Sequence, residues 1–325
     1  MEPYAEVRDA YRAFAVEAAA DSPTFTDWAA RVADDAEVTA WVSELPRIKQ
    51  QPNLVFAAAR WHGVPAPGPY DGLRKALLGD DGTIGATILA RATQTNEVGR
   101  LATLTPAFAT FDGPLALVEV GASAGLCLYP DRWGYRWETP DATVVRGKEP
   151  FLGCRVRGPA PLPDHPPEVA FRAGLDLNPL DVHDADAMAW LQQLIWPEQE
   201  ARAARFAHAV EVARAEPPRI DRGDLLVELP RLVEEAGRHG TVVVFHSAVI
   251  AYLEPSDRLR FDALVRGLVS DGACHWVSNE AKNVLPSVTT TGPPIPAEHP
   301  TFVLGIDGRM VAQTHGHGRS LRWTA

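Results

Sequence analysis

Cysteine is scarce in this chain. Its 325 residues hold three, Cys127, Cys154 and Cys274, far apart and with no C-x-x-C spacing. That excludes a disulfide framework and a thiolate metal site, and it fits a reducing, cytoplasmic compartment. Long apolar runs are missing too, and no stretch approaches the roughly 20 residues that a membrane-spanning helix needs. The opening "MEPYAEVRDAYRAF" is charged and amphipathic, without the apolar centre of a signal peptide. Clustered positive charge is also lacking: 31 Lys and Arg stand against 42 Asp and Glu, for a net charge of −11. An acidic chain repels nucleic-acid phosphates and anionic lipid, so neither is expected as a partner. No internal repeat is visible.

What is there is globular. Hydrophobic residues make up 46% of the chain and charged residues 22%. The length suits one large domain or two ordinary ones. The first third carries apolar residues at helical spacing: Tyr4, Val7, Tyr11, Phe14, Ala15 and Ala18, then Phe25, Trp28, Val32, Val38 and Trp41. Pro52 opens another helical stretch, and "TIGATILARATQTNEVGRLATL" continues the pattern. At "FDGPLALVEV" the character changes. Apolar runs at Leu115–Val120, Val169–Leu177, Arg219–Asp224, Thr241–His246 and Ala273–Ser278 alternate with helical patterns over 184–215, 225–238 and 256–269. The first of these patterns breaks at Trp196-Pro197. Such alternation predicts a mostly parallel sheet covered on both faces. "TFVLGIDGRMVAQTH" predicts an antiparallel hairpin turning at Asp307-Gly308. The expected organisation is therefore α/β. A helical region over 1–112 precedes a sheet domain over 113–325, with a Pro- and Gly-rich insertion at about 130–168.

The turn after the first strand, Gly121-Ala122-Ser123-Ala124-Gly125, has two readings. As G-x-S-x-G it is a nucleophile elbow with Ser123 at its tip, and His315 and His317 come late enough to complete a triad. That fold also needs strands before the elbow, and the preceding chain reads as helix. As a cofactor loop, the glycines let backbone meet a ligand closely, and a following helix N-terminus would offer free N–H groups. The spacing is not the dinucleotide fingerprint G-x-G-x-x-G. It is an acid, Glu119, followed by a glycine-rich turn.

In this form the segment resembles the first motif of class I S-adenosylmethionine-dependent methyltransferases. The likeness continues in "GLDLNP", "RGDLL", "VVVFHSAVIAYLEPSDRLRF" and the final hairpin. It implies a Rossmann-like methyltransferase sheet with S-adenosylmethionine bound by Glu119, Gly121, Ala122, Ser123, Gly125, Asp176, Asn178 and Asp224. Asp176 would hold the ribose and Asp224 the adenine amino group. The chain also resembles a family of uncharacterised bacterial proteins, through "QTNEVGR", "EVGASAGL", "DLNPLD", "IWPEQEAR", "VVVFHSAVIAYL" and "HGHGRSLRW".

Each candidate also has a plainer reading. Asp176 could form a turn with Asn178-Pro179, and Asp224 could cap the helix that follows it. His246 leaves the carboxyl end of the fourth strand, where a general base would stand. It could equally be a buried, hydrogen-bonded histidine. Asn96, Glu97 and Arg100, read with Gln94 on the last helix before the sheet, could touch a small-molecule substrate, as could Tyr252, His315 and His317. No metal site is expected. The expected activity is methyl transfer to a small molecule under a helical cap. The alternatives are a non-catalytic nucleotide- or metabolite-binding protein, and a serine hydrolase acting through Ser123.

Overall fold

The computed structural model describes residues 5–94 and 96–325; Tyr4, expected in the first helix, lies outside the described residues. Twelve α-helices are described. They are α1 (Ala5–Ala18), α2 (Pro23–Asp34), α3 (Ala36–Ser43), α4 (Pro52–Trp61), α5 (Tyr70–Leu78), α6 (Thr83–Ala90), α7 (Leu101–Phe108), α8 (Ala185–Gln193), α9 (Glu200–Ala215), α10 (Leu225–Ala236), α11 (Pro255–Ser270) and the short α12 (Pro286–Thr289). None is long and apolar enough to cross a membrane, among the described residues.

The chain divides into two compact units, Met1–Thr95 with Asp184–Ala207, and Asn96–His183 with His208–Ala325. The border expected at 112/113 therefore falls at 95/96, and the helical unit takes in a second segment from far along the chain. Aromatic packing accounts for that return. Trp196 sets its ring 5.4 Å from Phe14 and 6.1 Å from Phe25, and its indole N–H donates to Asn53 Oδ1 at 3.1 Å. Arg60 donates to the carbonyls of Gln193 and Ile195, both at 2.8 Å. Phe25, Trp28 and Phe56 are fully buried beside them. Each such side chain contributes about 1.5–3 kcal/mol by leaving water. The break at Trp196-Pro197 falls between α8 and α9, as the sequence predicts.

The second unit is built on one eleven-stranded sheet. Its strands are β1 (Leu115–Val120), β2 (Gly134–Glu138), β3 (Thr143–Arg146), β4 (Phe151–Arg157), β5 (Val169–Asp176), β6 (Arg219–Arg222), β7 (Thr241–Ser247), β8 (His275–Ala281), β9 (Phe302–Ile306), β10 (Arg309–Thr314) and β11 (Ser320–Trp323). They lie in the order β3-β2-β4-β11-β10-β9-β8-β7-β1-β5-β6. The run β6-β5-β1-β7-β8 is parallel throughout. The predicted hairpin is present. β9 and β10 pair antiparallel, with Asp307 and Gly308 at φ 48° and 75°. Both positive angles suit the tight turn whose twist matches the strands. The insertion is built into the sheet. It supplies β2, β3 and β4, which extend the sheet through β11.

Strand parity decides what each face meets. Ala116, Val118 and Val120 of β1, with Val242 and Val244 of β7, share a core with Leu229, Leu232 and Val233 of α10 and Phe261 and Val265 of α11. The alternate residues turn to the other face. There Phe245, in register with Glu119, packs edge-on against Phe108 of α7 at 5.3 Å.

Candidate functional site

Between β1 and β7 the order of the parallel strands reverses: β5 and β6 continue on one side, β7 and β8 on the other. In open α/β sheets, ligands bind outside the carboxyl ends of the strands at such a reversal. Glu119 stands there, on the α7 face. It is 8% exposed, and its Oε2 is sealed in with no hydrogen-bond partner among the described residues. Burial pushes its carboxyl well above the usual carboxylate range; Arg100 opposes this and Asp176 adds to it. Low-dielectric surroundings thus favour the neutral form of this carboxyl.

The glycine turn is closed on itself. Gly121 and Ala122 donate their N–H groups to Leu175 O at 2.8 and 3.1 Å, and Gly125 donates to Ala122 O at 2.7 Å. Ser123 N donates to Asp176 Oδ2 at 2.7 Å, and Ala124 N to Asn96 Oδ1 at 3.3 Å. All five amides are engaged within the protein. The helix expected after the turn is absent. Two three-residue 3-10 turns, Leu126–Leu128 and Pro130–Arg132, lead into β2 instead, so no α-helix N-terminus faces a ligand here. Gly121 also has a reason of its own to be glycine. At φ 69°, a Cβ there would lie 2.3 Å from Val249 Cγ1. Gly125, again at φ 69°, faces Ile220 and Pro218 in the same way. Ala122 is buried, its Cβ 2.5 Å from where one would stand on Gly174.

Ser123 adopts φ 53°, the left-handed region, as a nucleophile elbow would. Its Oγ meets the Asn96 side-chain amide at 3.0 Å and no imidazole among the described residues. A hydroxyl held by an amide has no base to activate it. Asp176 accepts from Ser123 N and, through Oδ1, from Asn178 N at 2.7 Å, so it ties the ends of β1 and β5 together. Asp224 is the N-cap of α10, accepting from Leu226 N at 2.8 Å. Tyr252 is 75% exposed.

Two expectations are corrected. Asn96 and Glu97 do not lie on a helix. Arg91 leaves α6 in extended conformation, and Glu97, at φ −97° and ψ 90°, caps the 3-10 turn Val98–Arg100 by accepting from Gly99 N at 2.9 Å. His246 does not face an open site. It shares parity with Val242 and Val244, which turns it under α11, edge-on to Phe261 at 5.3 Å. It has no solvent exposure. Its Nε2 accepts from the Trp276 indole at 3.0 Å, and its Nδ1 donates to Glu280 Oε1 at 2.7 Å. Neither nitrogen is left to take a proton from a ligand, so the role of general base falls away.

The structure also gathers the rest of the carboxyl edge. Arg100 donates to Ser247 O at the end of β7 and to Gly316 O, both at 2.8 Å. His315 and His317 follow β10 at the same edge, their rings 5.7 Å apart. His317 Nδ1 lies 3.4 Å from Glu97 Oε2. Three residues at this edge were not anticipated. Cys127 donates its thiol to Glu97 O at 3.7 Å; burial, then Glu119, push its pKa far up, so it is no nucleophile. Val249 covers Gly121. Glu280 accepts from Val249 N and Ile250 N at 2.9 and 3.1 Å and seats that loop. An acid closing a strand, as Glu119 does, was the available signal for Glu280. No three His, Cys, Asp or Glu side chains converge as metal ligands among the described residues.

Residues 8–323 match the profile of a family described as "Uncharacterized protein conserved in bacteria (DUF2332)". The chain belongs to that family. No curated protein and no solved structure matches it. Membership covers both units, so the helical unit and the sheet unit are parts of one conserved arrangement of sequence.

Proposed function

We propose that the sheet unit binds S-adenosylmethionine at the carboxyl ends of β1 and β5 and serves methyl transfer to a small molecule. The observation that carries this is Glu119: a buried carboxyl, unpartnered at Oε2, beside a glycine turn where the strand order reverses. Taken in chain order, the parallel strands run third, second, first, fourth, fifth, the order of doubly wound nucleotide-binding sheets. A buried carboxyl without a partner is complementary to a cation. S-adenosylmethionine carries an ammonium and a sulfonium, and no phosphate. The closed amides of the Gly121–Gly125 turn speak against a phosphate-bearing nucleotide and leave this ligand unopposed. Glu119 would meet its cationic part and Asp176, at the next strand end, its ribose hydroxyls. When bound, it would supply an electrophilic methyl group on sulfur. Titration calorimetry tests this. The native protein should bind S-adenosylmethionine and release protons on binding, read from the dependence of the heat on the buffer. Glu119→Gln should weaken binding at least tenfold and abolish the release. No binding by the folded native protein would overturn the proposal.

A second reading is non-catalytic binding of the same class of metabolite. It is favoured by the burial of His246, which removes the base that the sequence offered. Turnover of labelled S-adenosylmethionine with any acceptor would decide against it.

A further inference from the structure

We infer that the carboxyl end of β7 carries a carboxylate subsite, made by Arg100 Nη2 and the Ser247 hydroxyl, which together with Glu119 takes the zwitterionic head of an α-amino acid. The inference rests on the carboxyl-edge reading above but not on the identity of the cofactor. Arg100 is 6% exposed and Glu119 8%. The guanidinium commits Nη1 to Ser247 O and Nε to Gly316 O. Neither acceptor is charged, Nη2 is left over, and Arg100 forms no ion pair among the described residues. A buried cation without a counter-ion is costly, as a buried acid without a partner is. The two groups share a place. Glu119 pairs with Phe245 across β1 and β7, so Ser247 lies two residues further along the neighbouring strand and on the same face. Two strand steps and one interstrand spacing put the two backbones about 8 Å apart there. Arg100 is near enough to oppose the rise in the Glu119 pKa, yet the two do not meet as an ion pair among the described residues. Opposite charges buried close together and kept apart are completed by a group that carries both.

The hydrogen bonds behind Ser247 set the direction of its hydroxyl. Thr314 Oγ1 donates to Asn279 Oδ1 at 2.6 Å, and Asn279 Nδ2 donates to Ser247 Oγ at 2.9 Å. Asn279 has no solvent exposure and Thr314 is buried beside it, whereas Ser247 is half-buried. With its oxygen accepting from Asn279, Ser247 has its O–H left to give, and that hydrogen meets no acceptor among the described residues. Arg100 and Ser247 thus offer an anion one positive charge, an N–H and an O–H. Glu119 offers a carboxylate to an ammonium. In an α-amino acid a single carbon carries both groups, which suits acceptor and donors set so close together. A plain amine or a phosphate would satisfy only half of the set. The ligand class is therefore an α-amino acid, free or as the end of a larger molecule.

Calorimetry on the full chain, with ligand pairs that differ only in the carboxylate, tests this. The pairs are S-adenosylmethionine with its decarboxylated form, and methionine with its decarboxylated amine. The native protein should prefer the acid of a pair by about ten- to a hundredfold, the range that hydrogen bonds to a charged group supply. Ser247→Ala should cut that ratio about three- to tenfold, and Arg100→Gln should bring it near unity. A ratio does not respond to a mere loss of stability. Arg100 also holds two carbonyls, so if Arg100→Gln does not fold, Ser247→Ala decides. Equal native affinities within a pair would overturn the inference and leave the cofactor reading standing. A ratio unmoved in every variant that folds would overturn it as well. A preference for methionine over its amine, in a protein that binds neither nucleoside, would retire the cofactor and keep the subsite. Binding of none of the four ligands by the folded native protein would overturn both.

Discussion

Two buried glutamates close neighbouring parts of the same sheet edge; each has an Oε2 with no hydrogen-bond partner among the described residues, and they differ at the other oxygen. Oε1 of Glu280, at the end of β8, takes His246 Nδ1 and the amides of Val249 and Ile250. Glu119, at the end of β1, takes no hydrogen bond from any described residue. A buried carboxyl that the protein anchors through one oxygen is part of the scaffold. One that takes no hydrogen bond at either oxygen is costly and persists where something else completes it. The comparison separates two acids that sequence alone shows only as acids at strand ends.

The largest effect should come from breaking the anchored side. Glu280→Ala leaves His246 and two amides unpaired in the core, which should cost about 3–5 kcal/mol. Urea denaturation should show that loss, and an unchanged midpoint would erase the distinction. Next comes the floor between the two acids. Gly121→Ala drives a Cβ into Val249 at a left-handed φ and should cost about 1–3 kcal/mol. Adding Val249→Ala should recover part of it. A double-mutant cycle with no coupling would mean that Val249 does not sit where it is described.

The unsatisfied side should respond with the other sign. Glu119 has a folded pKa raised above its ordinary 4.5. Below that value both folded and unfolded states are protonated, and the group has no effect. Above it the unfolded chain ionises while the folded carboxyl stays protonated, so stability falls as pH rises. Glu119→Gln should remove this slope, which amounts to about 1.4 kcal/mol per pH unit at most. The variant should thus gain on the native protein from pH 5 upward. Parallel pH curves would show that Glu119 is ionised and partnered after all. The smallest effect is expected at Ser123→Ala, which loses one hydrogen bond to Asn96, about 0.5–1.5 kcal/mol. Ligand binding should survive, because the Ser123 amide still meets Asp176. Labelling of native Ser123 by a fluorophosphonate would restore the hydrolase reading.

β1 and β7 were legible because buried parallel strands are largely apolar, and the β9–β10 hairpin because its turn needs Asp-Gly chemistry. The insertion was not. Its strands alternate exposed and buried residues over only a few positions, and their partner is β11, which lies at the far end of the chain. The helical unit's second segment was misplaced for a similar reason: helical periodicity in α8 and α9 says nothing about which core they join. Glu119 and Asp176 stand at the carboxyl ends of the neighbouring strands β1 and β5. His246 was misjudged although its parity with Val242 and Val244 was already visible in "TVVVFH". A histidine on the helix-covered face of a parallel strand has no route to a ligand.

The split of the helical unit between two distant stretches of chain has a consequence during synthesis. Until Ala207 has left the ribosome, Phe14, Phe25 and Phe56 lack the indole of Trp196, and Ser22 and Thr24 lack the Glu198 carboxylate that accepts from them. At about 5–20 residues per second, the nascent aromatic surface waits on the order of ten seconds for its missing piece. The first 95 residues are thus expected to stay unfinished until the second segment arrives. Expressed alone, they should aggregate, and a peptide carrying Asp184–Ala207 supplied in trans should rescue them.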